Sequence, residues 1–139
     1  MIRDLLTFIR QRSRTFLLVY LALLVLASIV PFPGGSTVLS DNYVLRIRSD
    51  YLLHTLVYLP MPLLLGLFLE RGPLRQDRRK FLFWLGIILP SLLFTVLLEG
   101  VQLILPYRSF NINDMMANGL GVVIGLLIMP FLWRRTSAR

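Results

Sequence analysis

Cysteine is absent, histidine occurs once, and acidic residues number only seven in a chain of 139. The missing cysteines exclude a disulfide-stapled module and a thiol nucleophile. A single histidine argues against a His-ligated metal hydrolase, and no other ligand spacing stands out. Charge is scarce as well: 16% of residues are charged, against about 25% in an ordinary soluble domain. Apolar residues fill the gap. They make up 56% of the chain, more than a soluble fold of this length has interior to bury. The same richness excludes disorder. The chain reads as an integral membrane protein.

The net charge of +8 invites a nucleic-acid reading, but the distribution argues against it. Fifteen basic residues sit in short clusters between apolar runs, and no polar segment carries a basic face with interleaved aromatics. Anionic lipid headgroups select this pattern, and nucleic acid is not an expected partner.

Four stretches have about the 20 apolar residues that a spanning helix needs, or come close. They are 16–32, 51–69, 81–105 and 115–133. None alternates with period two, which excludes a barrel. Pro60 and Pro62 interrupt the second, Pro90 the third and Pro130 the fourth. Neighbouring helices can satisfy the carbonyls that proline frees, so these positions read as kinks. The expected fold is all-α: a membrane-embedded four-helix bundle forming one domain over 1–139.

Arginine and lysine set the orientation. Arg3, Arg10, Arg12 and Arg14 precede the first span. Arg71, Arg75, Arg78, Arg79 and Lys80 join the second to the third, and Arg134, Arg135 and Arg139 follow the fourth. These segments share one side and hold twelve of the fifteen basic residues, leaving Arg46, Arg48 and Arg108 opposite. Both termini are therefore expected in the cytoplasm. Trp84 and Trp133 fall at the inner boundary and Tyr51 and Tyr107 at the outer one, as an aromatic belt would place them. A cleaved leader over Phe16–Ser28 is the rival reading; it rests only on the small residues Ala27 and Ser28.

Ionisable groups inside spans are costly and mark function, partners or cavities. Here they gather at the outer ends. Asp50 and His54 share a face at i, i+4 on the second span. Glu99 and Gln102 stand at i, i+3 on the third, with Glu99 about 9 Å inside an end at Leu105. Asp114 and Asn118 open the fourth, and Arg108 lies in the loop between the last two pairs. Each has a bland reading: Asp50 and Asp114 as helix N-caps, His54 as an interior residue, Arg108 as an interfacial anchor. Glu99 and Gln102 read blandly as interhelical glue. A mid-helix carboxyl has no capping role, so Glu99 either pairs with Arg108 or His54 or stays protonated. One outward-facing site accounts for all of them more economically. Gly121 and Gly125 form a small-xxx-small face for close packing inside the bundle, which would bring Asn118 near its partners on the third span.

The ordered pattern Asp50-x3-His54, Glu99-x2-Gln102, Pro106-x-Arg108, Asp114-x3-Asn118-x2-Gly121-x3-Gly125 resembles the VanZ-like family of small bacterial membrane proteins. It covers the last three spans, about two thirds of the chain. Many members of that family carry a Lys after the first Asp, where this chain has Tyr51; either Arg46 or Arg48 substitutes for it, or this member binds something different. The first span and the loop from Pro33 to Ser49 carry none of the pattern. The resemblance implies a protein of the bacterial cytoplasmic membrane, akin to one linked to low-level resistance to the lipoglycopeptide teicoplanin, with a role in handling envelope lipid or glycolipid.

Three functions compete. The first is a binding or protective module whose pocket of Asp50, His54, Glu99, Gln102, Arg108, Asp114 and Asn118 holds an envelope amphiphile. In it the planar fork of Arg108 takes phosphate or carboxylate. The second is an enzyme on a lipid headgroup, with Glu99 and His54 as acid and base and Arg108 on developing charge. No serine sits in a nucleophile elbow to support it, and the pattern calls for no cofactor and no metal. The third is a non-catalytic partner in a membrane complex. A transporter is disfavoured, because polar groups are missing from the midplane and inner half.

Overall fold

The computed structural model describes residues 8, 11–30, 43–44, 47–70, 77–108 and 110–137. Arg3, Arg10, Arg46, Arg71, Arg75, Arg139 and most of the loop after the first span lie outside them. So do the side chains of Arg78, Trp133, Arg134 and Arg135.

Within those residues the fold is helical. Helix α1 covers Ser13–Ile29, α2 Ser49–Tyr58, α3 Pro60–Leu69, α4 Asp77–Gln102 and α5 Ile112–Ser137. A two-residue antiparallel ladder, β1 (Tyr43–Val44) and β2 (Ile47–Arg48), pairs Tyr43 with Arg48 just before α2. The α2–α3 pair, α4 and α5 are each long and apolar enough to cross a membrane, over Ser49–Leu69, Arg79–Gln102 and Ile112–Phe131. Helix α1 is a shorter apolar helix of 17 residues.

The boundaries depart from the hydropathy reading in informative ways. The third span ends at Gln102, not Leu105: residues 103–104 form a turn, closed by Leu103 and Ile104 N–H groups donating to Gly100 and Val101 carbonyls. Glu99 thus lies about 4.5 Å below the helix end, half the depth expected from the sequence. The fourth span begins three residues early, at Ile112, because Asn111 supplies the start. Its Oδ1 accepts from the Asn113 N–H (3.0 Å) and its carbonyl from Asp114 and Met115.

Proline acts differently at its sites. Pro60 ends α2 and opens α3 with Leu59 at the joint, whereas α4 and α5 run on through Pro90 and Pro130. Lacking N–H groups, Pro60 and Pro62 deprive the Leu56 and Tyr58 carbonyls of their helical donors. Between them, the Val57 carbonyl accepts from Tyr20 Oη at 2.7 Å, a bond that ties α1 to the joint.

Two apolar clusters stack along the bundle. Leu24, Tyr58, Met61, Leu98 and Val122 join all five helices in one, and Phe83, Ile87 and Met129 fill the other, with Trp84 packed against it. The opposite faces expose Leu, Ile, Val and Phe, as lipid solvation allows. Span two packs most closely on α5, and glycine makes this possible. A Cβ on Gly121 would overlap the Thr55 carbonyl oxygen, and one on Gly125 the Leu59 carbonyl oxygen. The small-xxx-small face therefore meets span two at its proline joint.

Candidate functional site

Three spans each bring a polar group to one place, Glu99 and Asn118 buried and His54 partly exposed, and the close α2–α5 contact joins the last two. Asn118, buried on α5, is the centre. Its Nδ2 donates to Glu99 Oε1 on α4 at 3.0 Å, and its Oδ1 faces His54 Nδ1 on α2 at 2.9 Å. The two bonds settle each other. An amide whose nitrogen serves the carboxyl has only its oxygen left for the imidazole, so His54 donates from Nδ1. The other ring nitrogen, Nε2, stands 3.8 Å from Asp114 Oδ2.

Asp114 has two duties. Its Oδ1 accepts from Asn111 Nδ2 at 3.0 Å, a reciprocal contact that stabilises the first turn of α5, while its Oδ2 faces the imidazole. Asp114 is not the N-cap expected from the sequence: α5 begins at Ile112 with Asn111 before it, and Asp114 lies in the first turn, facing the site. Asp50 is not an N-cap: it lies inside the first turn of α2. There its Oδ1 accepts from the Tyr51 N–H at 2.9 Å and its Oδ2 from Arg48 at 2.7 Å. The Arg48 guanidinium also covers the Tyr51 ring, 4.8 Å from its centroid. Arg48 brings a cation beside Asp50, next to the position where the resembling family carries lysine. Arg48 and Asp50 both lie within electrostatic reach of Asp114, which links their pair to the chain of His54, Asn118 and Glu99.

Arg108 is placed differently from expectation. Its Nη2 donates to the Ala27 carbonyl at 2.9 Å and the Val30 carbonyl at 2.8 Å, the unsatisfied end of α1, where a cation is also favoured by the helix dipole. Among the described residues it makes no hydrogen bond to the polar cluster, although it acts electrostatically on Glu99. Gln102 is buried one turn above Glu99 and makes no bond to it.

In this region Glu99 Oε2 and Arg108 Nε are buried without partners among the described residues. Glu99 is 1% exposed, so water does not serve its free oxygen from the surface. An orphaned polar atom at such depth costs about 1–3 kcal/mol and calls for an explanation.

Sequence reasoning missed part of the polar surface. Ser91 and Thr95 are buried and continue the face of Glu99 down α4 at four-residue steps. Their hydroxyls donate to the Ile87 and Ser91 carbonyls, at 2.7 and 3.0 Å, leaving lone pairs inward. Spacing alone was the available signal. Beyond Ser91, toward the Arg79 end of α4, the Phe83, Ile87 and Met129 cluster is hydrocarbon. Thr55 was also missed; its hydroxyl donates to the Ala117 carbonyl at 3.1 Å and staples α2 to α5 beside Asn118. Among the described residues, no group of three or more His, Asp or Glu side chains is placed to hold a metal ion.

Neither a curated protein nor a solved structure matches the chain. The VanZ/LLP1 family model matches it over residues 5–133, which includes α1 and all three long spans. The chain is a membrane protein of the VanZ/LLP1 family.

Proposed function

We propose that the protein sits in the bacterial cytoplasmic membrane with both termini in the cytoplasm. Its outward-facing polar site binds the headgroup of an envelope lipid or glycolipid, in the manner of a teicoplanin-resistance accessory protein. One observation carries the reading: a carboxyl buried between three apolar helices is held by Asn118 at one oxygen and has no partner among the described residues at the other. Glue between helices explains the bonded oxygen. It does not explain the free one, since buried polar groups are almost always paired. The site is also one-sided, polar from the outer end down to Ser91 and apolar below it. That favours a ligand that enters and leaves on one side over a substrate passed across the membrane.

The test compares membrane lipids and envelope precursors, by mass spectrometry, in cells expressing the wild type or Glu99→Gln, together with the lipids that co-purify with each protein. An unmodified amphiphile retained by the wild type and lost from the variant is the expected result. A new lipid species made only by the wild type would replace binding with catalysis. No difference between two well-folded proteins would return Glu99 to structural glue.

A further inference from the structure

The two orphaned atoms have opposite polarity. Glu99 Oε2 carries acceptor lone pairs and Arg108 Nε carries a donor hydrogen, and both are buried without partners among the described residues. They belong to groups within electrostatic reach of each other, nine residues apart on either side of the outer turn. In the network, His54 Nδ1 serves Asn118, Asn118 Nδ2 serves Glu99 Oε1, and Thr55 serves Ala117. No described cation lies within ion-pair distance of Glu99. Gly100 and Gly119, each next in the chain to a partner of the Glu99–Asn118 bond, leave open space where a Cβ would stand. Neither contributes a side chain to block an approach.

Resting on the binding reading above, we propose that the site takes a zwitterionic headgroup bearing a primary ammonium. Its N–H groups donate to Glu99 Oε2 and its anionic oxygen accepts from Arg108 Nε. An ammonium supplies at once a hydrogen bond and the counter-charge that the ionised form of Glu99 needs; a hydroxyl supplies only the first, and a quaternary amine only the second. Phosphoethanolamine has this chemistry, whether on a lipid or free. The Nη2 bonds from Arg108 to α1 hold the guanidinium still while Nε serves the ligand.

Phosphatidylethanolamine, phosphatidylcholine and phosphatidylglycerol separate these requirements. The full-length protein is equilibrated in nanodiscs of the three lipids in equal parts and extracted, and retained lipid is counted by native mass spectrometry. Phosphatidylethanolamine should be retained over both others by about tenfold, as loss of one charge-assisted hydrogen bond implies. Glu99→Gln should erase that preference, with monodispersity and helical circular dichroism confirming its fold.

Equal retention of phosphatidylcholine, or preference for phosphatidylglycerol, would overturn the ammonium assignment. The binding reading would survive either result if Glu99→Gln still released the lipid. No retention by the wild type would overturn both. If the variant fails to fold, the ranking of the three lipids on the wild type decides alone. Competition by soluble phosphoethanolamine then tells a free aminophosphate from a lipid headgroup.

Discussion

Asn118 on α5 donates to Glu99 on α4 across 3.0 Å, both side chains shut away from lipid and water. Because the same amide also meets His54 on α2, one residue joins three spans. Asn118→Leu keeps approximate volume but strips partners from a buried carboxyl and an imidazole. It should lower stability by about 1–3 kcal/mol per group left unpaired, read as a fall in thermal midpoint in detergent. Asn118→Asp should be worse, because it cannot donate to Glu99 and sets two carboxyls side by side. A midpoint unchanged in both variants would mean that the amide holds nothing together.

The glycines of α5 and α4 offer a paired test. Gly121→Ala and Gly125→Ala push a methyl group into the Thr55 and Leu59 carbonyls, both backbone, which cannot swing aside. Each should cost about 1–3 kcal/mol or more through overpacking. Gly100→Ala and Gly119→Ala meet nothing within 4 Å and should leave the thermal midpoint within error of the wild type.

Arg108 and Tyr20 anchor the short first helix. Arg108→Ala frees the Ala27 and Val30 carbonyls, and Tyr20→Phe removes the bond to Val57. Faster hydrogen–deuterium exchange through residues 26–30 is expected in the first variant. In the second, the expected result is a loss of about 1 kcal/mol with little change in that exchange. Arg108→Lys keeps the charge but not the planar fork, so it should restore only part of the protection.

Because the chain has no cysteine, single-cysteine labelling can test topology without a background mutant. Tyr107→Cys and Asn113→Cys, both at exposed positions of the outer turns, should react with a membrane-impermeant maleimide in intact cells. Lys80→Cys, at the exposed start of α4, should react only after permeabilisation. The reverse pattern would invert the protein and turn the polar site toward the cytoplasm.

Much of the architecture was legible in the sequence because hydropathy is a property of the chain read one residue at a time. The long apolar runs became the three long spans, and the polar residues singled out near their ends include the three in the hydrogen-bonded chain, His54, Asn118 and Glu99. The limits of those runs were less legible. Leu103, Ile104 and Leu105 are as apolar as the helix before them, yet their N–H groups close a turn instead of another helical step. Ser91 and Thr95 passed unnoticed because a hydroxyl that bonds back to its own helix costs the span little.

By itself, then, the sequence determined that the chain lives in a membrane, how many apolar segments it has, and where their polar groups lie. Lipid responds to composition and length, and both are written in order along the chain. Only the tertiary structure decided who meets whom: that Gly121 and Gly125 face the proline joint of span two, and that Arg108 serves the end of α1. It also decided that Asn118 takes one oxygen of Glu99 and leaves the other open. These are outcomes of helix crossing and rotation, which depend on how side chains of four segments interlock. No single segment carries that information.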